Sequence, residues 1–289
     1  MTAPQLRWGE RTYLMGVINV TPDSFSGDGI ATPGRPIEQV VAAGVAQARG
    51  FVEAGADILD VGAESTRPRE FYGEHAAVDA DAEAALAVPV VAALAEAYGD
   101  RALISIDTSK GAVARRALAA GASIVNDVWA ARRDPGTATA AAEAGGYLVL
   151  MHNQERSGYP AGAFATVAAW LREAVDAATA AGVPRGRLIV DPGIGFGKTP
   201  DDNLELLHRL GELKEAVGGL PLLVGTSRKR FIGQLLGGAP PDDRVEGTAA
   251  TVALAIAAGA DMVRVHDVAH IARTVRVADA IVRRKAATR

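Results

Sequence analysis

Short apolar runs recur along the chain at Tyr13–Val20, Asp57–Gly62, Ala102–Asp107, Ser123–Val128, Tyr147–His152, Leu188–Asp191, Pro221–Gly225 and Met262–His266. They are too short for helices and apolar on both faces, as in parallel strands covered by helices. Alanine-rich amphipathic stretches separate them. Three segments repeat one design: "EAGADILDVG" from Glu53, "AAGASIVNDV" from Ala119 and "AAGADMVRVHDV" from Ala257. In each, a helix stops at a glycine, the residue that tolerates the left-handed position there, and a strand follows. Eight such units predict a (β/α)8 barrel, with a doubly wound open sheet as the rival. No Pro/Gly/Ser-rich linker interrupts residues 1–289, so one domain is expected. Two hydrophilic loops, Ser26–Pro36 and Arg67–Val78, follow early strands and are long enough to act as lids.

The ends of the runs are polar. Asn19 closes the first, Glu64–Arg67 follow the second, and Asp107, Asn126-Asp127, Met151-His152 and Asp191 close the next four. The seventh runs into Ser227-Arg228-Lys229, and the eighth carries Arg264 and His266. In a barrel these positions share one rim, where active sites lie. Helix N-capping explains some of them singly, Ser109 and Asp127 above all. Capping does not explain Arg and His inside a strand. Arg264 and His266, two apart, face one side and with Lys229 suggest an anion pocket.

Bulk properties narrow the field. A net charge of −4 does not favour nucleic-acid or anionic-membrane partners. The absence of cysteine removes disulfides, thiol nucleophiles and thiolate metal sites, and fits a cytoplasmic enzyme. Neither a leader h-region nor an apolar span of about 18 residues is evident. "GIGFGKT" (193–199) is not a P-loop. Three residues, where four are needed, separate Gly193 from Gly197, and Pro192 holds the glycine position. With no His-x-x-x-His motif, the expected metal is Mg2+, held mainly by a substrate phosphate with oxygen ligands such as Asn19.

"MGVINVTPDSFS", "GADILDVGAESTRP", "SIDTSK", "VNDV", "DPGIGFGK", "VGTSRKRFIG" and "VRVHDV" together, in this order over residues 15 to 268, resemble the successive motifs of the dihydropteroate synthase family. The resemblance implies a barrel enzyme, a target of sulfonamides. It joins 6-hydroxymethyl-7,8-dihydropterin pyrophosphate to 4-aminobenzoate and releases pyrophosphate. Carried over by motif, Asp107, Asn126, Asp191 and Lys229 would hold the pterin, with Met151 and Phe196 lining its slot. Asn19, Arg264 and His266 would take the pyrophosphate, Asn19 also meeting Mg2+. Thr66, Pro68, Phe25 and Ser227 would shape the aminobenzoate site. Asp23, Asp107 and Lys229 would be catalytic, with Asp23 the candidate to stabilise a cationic methylene carbon. Arg228 has no assigned role. A homodimer is implied, with Ile271, Val275, Val277 and Ile281 as a candidate interface stripe. The alternatives are a pterin-binding methyltransferase of the methyltetrahydrofolate type, or a paralogue that binds pterin without turnover. The chain departs from the family at "GDGIATPGRP", after "TPDSFS", and at "REFYGE", after "STRP".

Overall fold

The computed structural model describes residues 5–21, 29–32, 34–64, 78–155 and 157–284. Asp23, Phe25, Thr66 and Pro68 lie outside them, as do all of "REFYGE" and Gly27, Asp28 and Pro33 of "GDGIATPGRP". Among the described residues eight strands form: β1 Tyr13–Asn19, β2 Ile58–Gly62, β3 Leu103–Asp107, β4 Ile124–Asp127, β5 Tyr147–Met151, β6 Leu188–Asp191, β7 Leu223–Val224 and β8 Met262–Val265. All pair in parallel in the order β6-β5-β4-β3-β2-β1-β8-β7. A single bridge between Val190 and Leu222 joins the ends. Consecutive strands are neighbours all the way round, so the sheet curls into a barrel and the open-sheet rival falls.

Among the described residues ten α-helices surround it: α1 Ile37–Ala54, α2 Ala80–Tyr98, α3 Gly111–Ala119, α4 Gly136–Ala144, α5 Ala163–Ala180, α6 Pro200–His208, α7 Leu210–Ala216, α8 Arg230–Leu235, α9 Val245–Ala257 and α10 Val268–Val282. The repeated segments behave alike. Gly55, Gly121 and Gly259 have φ of 101°, 109° and 94°, which reverses the chain from helix to strand. In two of them an aspartate follows that serves the next strand. The Asp57 carboxylate accepts the Leu14 N–H at 2.9 Å, and that of Asp261 accepts the Leu222 N–H at 2.9 Å. These side chains satisfy amides at the amino ends of the strands.

Inside the barrel the strands change character along their length. The lower interior is an apolar layer of Tyr13, Met15, Ile58, Leu103, Ile124, Tyr147, Val149, Ile189, Leu223 and Met262, closed from below by Leu6 and Trp8. Outward-facing strand residues such as Leu59, Ile104 and Val263 pack against the helices.

Two capping expectations change. Helix α3 starts at Gly111, and Ser109 does not cap it; the Asp134 carboxylate accepts the Gly111 N–H instead, at 2.6 Å. Asp127 organises a turn by accepting from the N–H groups of Trp129 and Ala131 and from the Thr137 hydroxyl.

Candidate active site

Two residues above the apolar layer, the same strands turn polar. On β2 Ile58 gives way to Asp60, on β3 Leu103 to Ser105 and Asp107, and on β4 Ile124 to Asn126. On β6 Ile189 gives way to Asp191, and on β8 Met262 to Arg264. Period-two alternation places each pair on one face of its strand. Asp60, Asp107, Asn126 and Asp191 are all buried.

The half-buried Arg264 guanidinium lies across this floor. Its Nε donates to Asp60 Oδ2 at 2.6 Å and its Nη2 to Asp107 Oδ2 at 2.8 Å, while Asn126 Nδ2 donates to Asp60 Oδ2 at 3.1 Å. Asp60 therefore ties β8 to β4 beneath Asp107. Sequence reading missed it, because it stands inside the run "DILDVG" and ends nothing. The signal that could have found it is its spacing, two residues beyond the lower-layer Ile58. Oδ1 of both Asp60 and Asp107 is buried without a hydrogen-bond partner. Buried unpaired carboxylate oxygens are costly, and here they line a floor suited to N–H donors.

Electrostatics follow from burial. Desolvation pushes the Asp107 carboxyl up to about 8 against the pull of Arg264, with Asp60 adding to the rise. Burial also raises Asp191, although Lys229 and the Gly193 N–H favour its charge; that N–H reaches Asp191 Oδ1 at 2.7 Å. Lys229 is brought down to about 8 by burial, opposed by Asp191. Its Nζ donates to the Ile194 carbonyl and lies 4.7 Å from the centre of the Phe196 ring. Gly195, at φ 83°, makes room for it: a Cβ there would stand 2.8 Å from Lys229 Cδ. Met151, buried on β5, pairs in register with Asp191.

In this structure Arg264 and His266 turn to different partners. Arg264 points to the floor, whereas His266 stands at the rim with its Nδ1 3.0 Å from Ser227 Oγ, which also accepts the His266 N–H at 3.1 Å. The difference arises because Asp60 and Asp107 offer the guanidinium two carboxylates on one side. Asn19 ends β1 half-buried, its carbonyl accepting the Ile30 N–H at 3.0 Å. Lys198, the lysine of the rejected P-loop, is buried. Its Nζ lies 2.9 Å from His152 Nδ1 and donates to the Phe196 carbonyl at 3.0 Å. Burial lowers its pKa to about 7. It holds the β6–α6 turn from behind.

A family model described as "Pterin binding enzyme" matches residues 15–266. The dihydropteroate synthase of Bacillus subtilis is 43% identical over 96% of this chain and 90% of its own. The chain belongs to the dihydropteroate synthase family. The dihydropteroate synthase of Clostridium difficile, solved in the presence of pteroic acid, superposes with a TM-score of 0.87 at 40% identity, covering 96% of this chain and all of that one. That of Xanthomonas albilineans, solved with 4-aminobenzoic acid, superposes at 0.84 with 40% identity, over 97% and 98% of the two chains. The activity is that of a dihydropteroate synthase, a transferase.

Proposed function

We propose that the floor binds the pterin ring of 6-hydroxymethyl-7,8-dihydropterin pyrophosphate and directs its methylene carbon to the amine of 4-aminobenzoate. The observation that carries this is the set of buried polar groups, Asp107, Asp191 and Asn126, where the barrel strands turn from apolar to polar. A pterin edge presents N–H donors and ring acceptors, and a ring lacking them would leave these groups unpaired. Met151 and Phe196 line the faces of the ring, and Lys229 stands between the two substrates.

The amine nitrogen attacks the methylene carbon, the carbon–oxygen bond to diphosphate breaks, and the nitrogen loses a proton. The amine is already neutral near pH 7, so positioning and charge stabilisation supply the catalysis. Arg264 stays anchored to Asp60 and exchanges Asp107 for the diphosphate as the pterin N–H groups take that carboxylate. His266 and Asn19 serve the diphosphate from the rim. Ser227, joined to His266, couples this subsite to the aminobenzoate subsite; the family motifs assign Thr66, Pro68 and Phe25 to that subsite and Asp23 to the developing cation.

Among the described residues no group of three or more His, Cys, Asp or Glu could cage a metal. A single amide oxygen from Asn19 fits Mg2+, which keeps waters and takes substrate phosphate oxygens. When bound it neutralises charge on the leaving diphosphate. No described helix is long and apolar enough to cross a membrane, and a cytoplasmic location is part of the reading.

Purified protein given both substrates and Mg2+ is expected to release pyrophosphate. Asp107→Ala and Lys229→Ala are each expected to remove most of that release, on the order of 100-fold or more. Near-normal rates in both would overturn the site assignment.

The same reading includes a homodimer. Ile271 and Val275 are fully buried against the barrel, so they leave the interface stripe; Val277 and Ile281 stand 61% and 72% exposed, with Leu254 of α9 at 70%. Ile281→Glu with Leu254→Glu is expected to halve the mass measured by light scattering. An unchanged mass would remove this face from the interface.

A further inference from the structure

Ser227 and Lys229 are neighbours but one, yet they serve opposite sides. The Ser227 hydroxyl meets His266 beyond β8, and the Lys229 ammonium meets Ile194 and Phe196 beyond β6. Between them stands Arg228 with φ 58°, in the left-handed region. The Lys229 N–H donates to the Thr226 carbonyl at 3.1 Å, closing a four-residue turn. Arg228 occupies its third position, where glycine is usual because a Cβ opposes positive φ.

A non-glycine residue holds such a conformation only where its surroundings determine it. Here all parts of Arg228 are held. Its guanidinium makes a two-point pair with Asp267, Nε to Oδ2 at 2.9 Å and Nη2 to Oδ1 at 2.6 Å. Arg244 Nη1 donates to the Arg228 carbonyl at 2.7 Å, and the Arg228 N–H reaches Thr248 Oγ1 at 3.3 Å. Arg244 gets there by crossing α8 at Gly233, where a Cβ would stand 2.5 Å from its Nε. Asp267 immediately follows His266 and precedes α10. The clamp therefore joins the turn after β7 to the loop after β8.

We infer that Arg228 and Asp267 are positioning residues for the synthase reaction. Their ion pair holds the left-handed turn that sends Ser227 to His266 and Lys229 to the β6–α6 turn. The function is a difference of direction: relaxation of φ at Arg228 would rotate both flanking side chains away from their partners at once. This rests on the reading that Lys229 and Ser227 serve the two substrates.

The test compares Arg228→Ala, Arg228→Gly, Asp267→Asn and the double variant Arg228→Gly/Asp267→Asn in steady-state pyrophosphate release, varying each substrate in turn, with Lys229→Ala as control. Arg228→Ala is expected to lose at least tenfold in kcat/KM for both substrates. Arg228→Gly should recover about twofold of that, leaving a loss of about fivefold, despite removing more side chain, because glycine accepts the turn. Asp267→Asn should match Arg228→Gly, and the double variant should be no worse than either. Should Arg228→Ala not fold, Arg228→Gly and Asp267→Asn carry the test. The inference fails if Arg228→Gly and Asp267→Asn stay within twofold of the parent, if only the thermal midpoint falls, or if the double variant loses the sum of both. An inactive Lys229→Ala beside normal Arg228 variants overturns the clamp alone; an active Lys229→Ala overturns the reading beneath it.

Discussion

The lower and upper halves of the barrel interior are built from the same strands, two to four residues apart, and they answer to different demands. Below, Ile58, Leu103, Ile124, Ile189 and Met262 fill a dry layer. Above, Asp60, Asp107, Asn126, Asp191 and Arg264 fill the matching positions with charge and amide. The lower layer gains stability from every buried methylene. The upper one spends it, since charges taken from water recover their desolvation cost only partly through pairing. The unpaired Oδ1 atoms of Asp60 and Asp107 mark where recovery is incomplete. The contrast teaches that polar identity in the upper half is held for a ligand.

Three measurements would break or sharpen this contrast. The largest effect is expected from Asp191→Ala, with kcat/KM for the pterin pyrophosphate falling on the order of 10²- to 10⁴-fold, because ring donors lose a buried acceptor; a loss below tenfold would place the pterin elsewhere. Next comes Ile58→Ala, one layer down. It should lower unfolding free energy by about 2–5 kcal/mol in denaturant titration while leaving turnover per folded molecule near the parent value. Activity falling in step with an unchanged stability would erase the distinction between the halves.

The smallest effect concerns pH. Between an unfolded carboxylate's pKa of about 3.9 and about 8, the folded chain keeps the Asp107 proton that the unfolded chain releases. The unfolded state binds fewer protons in that window, so the Asp107 contribution to stability falls as pH rises through it. Asp107→Asn is therefore expected to gain thermal midpoint relative to the parent, by a few degrees, from pH 4 to pH 8. A difference independent of pH would show that Asp107 is not held protonated.

Much of this was legible before any coordinates. The runs ending in Asn19, Asp107, Asn126, Asp191 and Lys229 gave both strands and rim, because a parallel barrel puts all strand ends on one side. Asp60 stayed hidden because a charge inside a strand run looks like a defect until the neighbouring strands supply Arg264 and Asn126. The direction of Arg264 was hidden for the same reason: alternation gives the face, and only the opposing carboxylates decide whether a long side chain leans inward or outward. Apolar character alone groups Ile271 and Val275 with Val277 and Ile281, yet the former pair packs on the barrel while the latter pair lies toward solvent. Lys198 gave no signal, since nothing in "GFGK" announces a partner such as His152, 46 positions earlier.

The barrel is stitched unevenly. β7 has two residues, and its contact with β6 is one bridge at Val190 and Leu222, supported by the Val190 N–H to the Pro221 carbonyl at 2.9 Å. Elsewhere around the circle neighbouring strands are joined by registers of two to five residue pairs. This seam lies between Asp191 on one side and Lys229 on the other. In deuterium labelling, the amide of Val190 is expected to exchange sooner than those in the middle of β2 or β3, since opening here breaks fewest bonds. The wall expected to yield first is thus the one that separates Asp191 from Lys229.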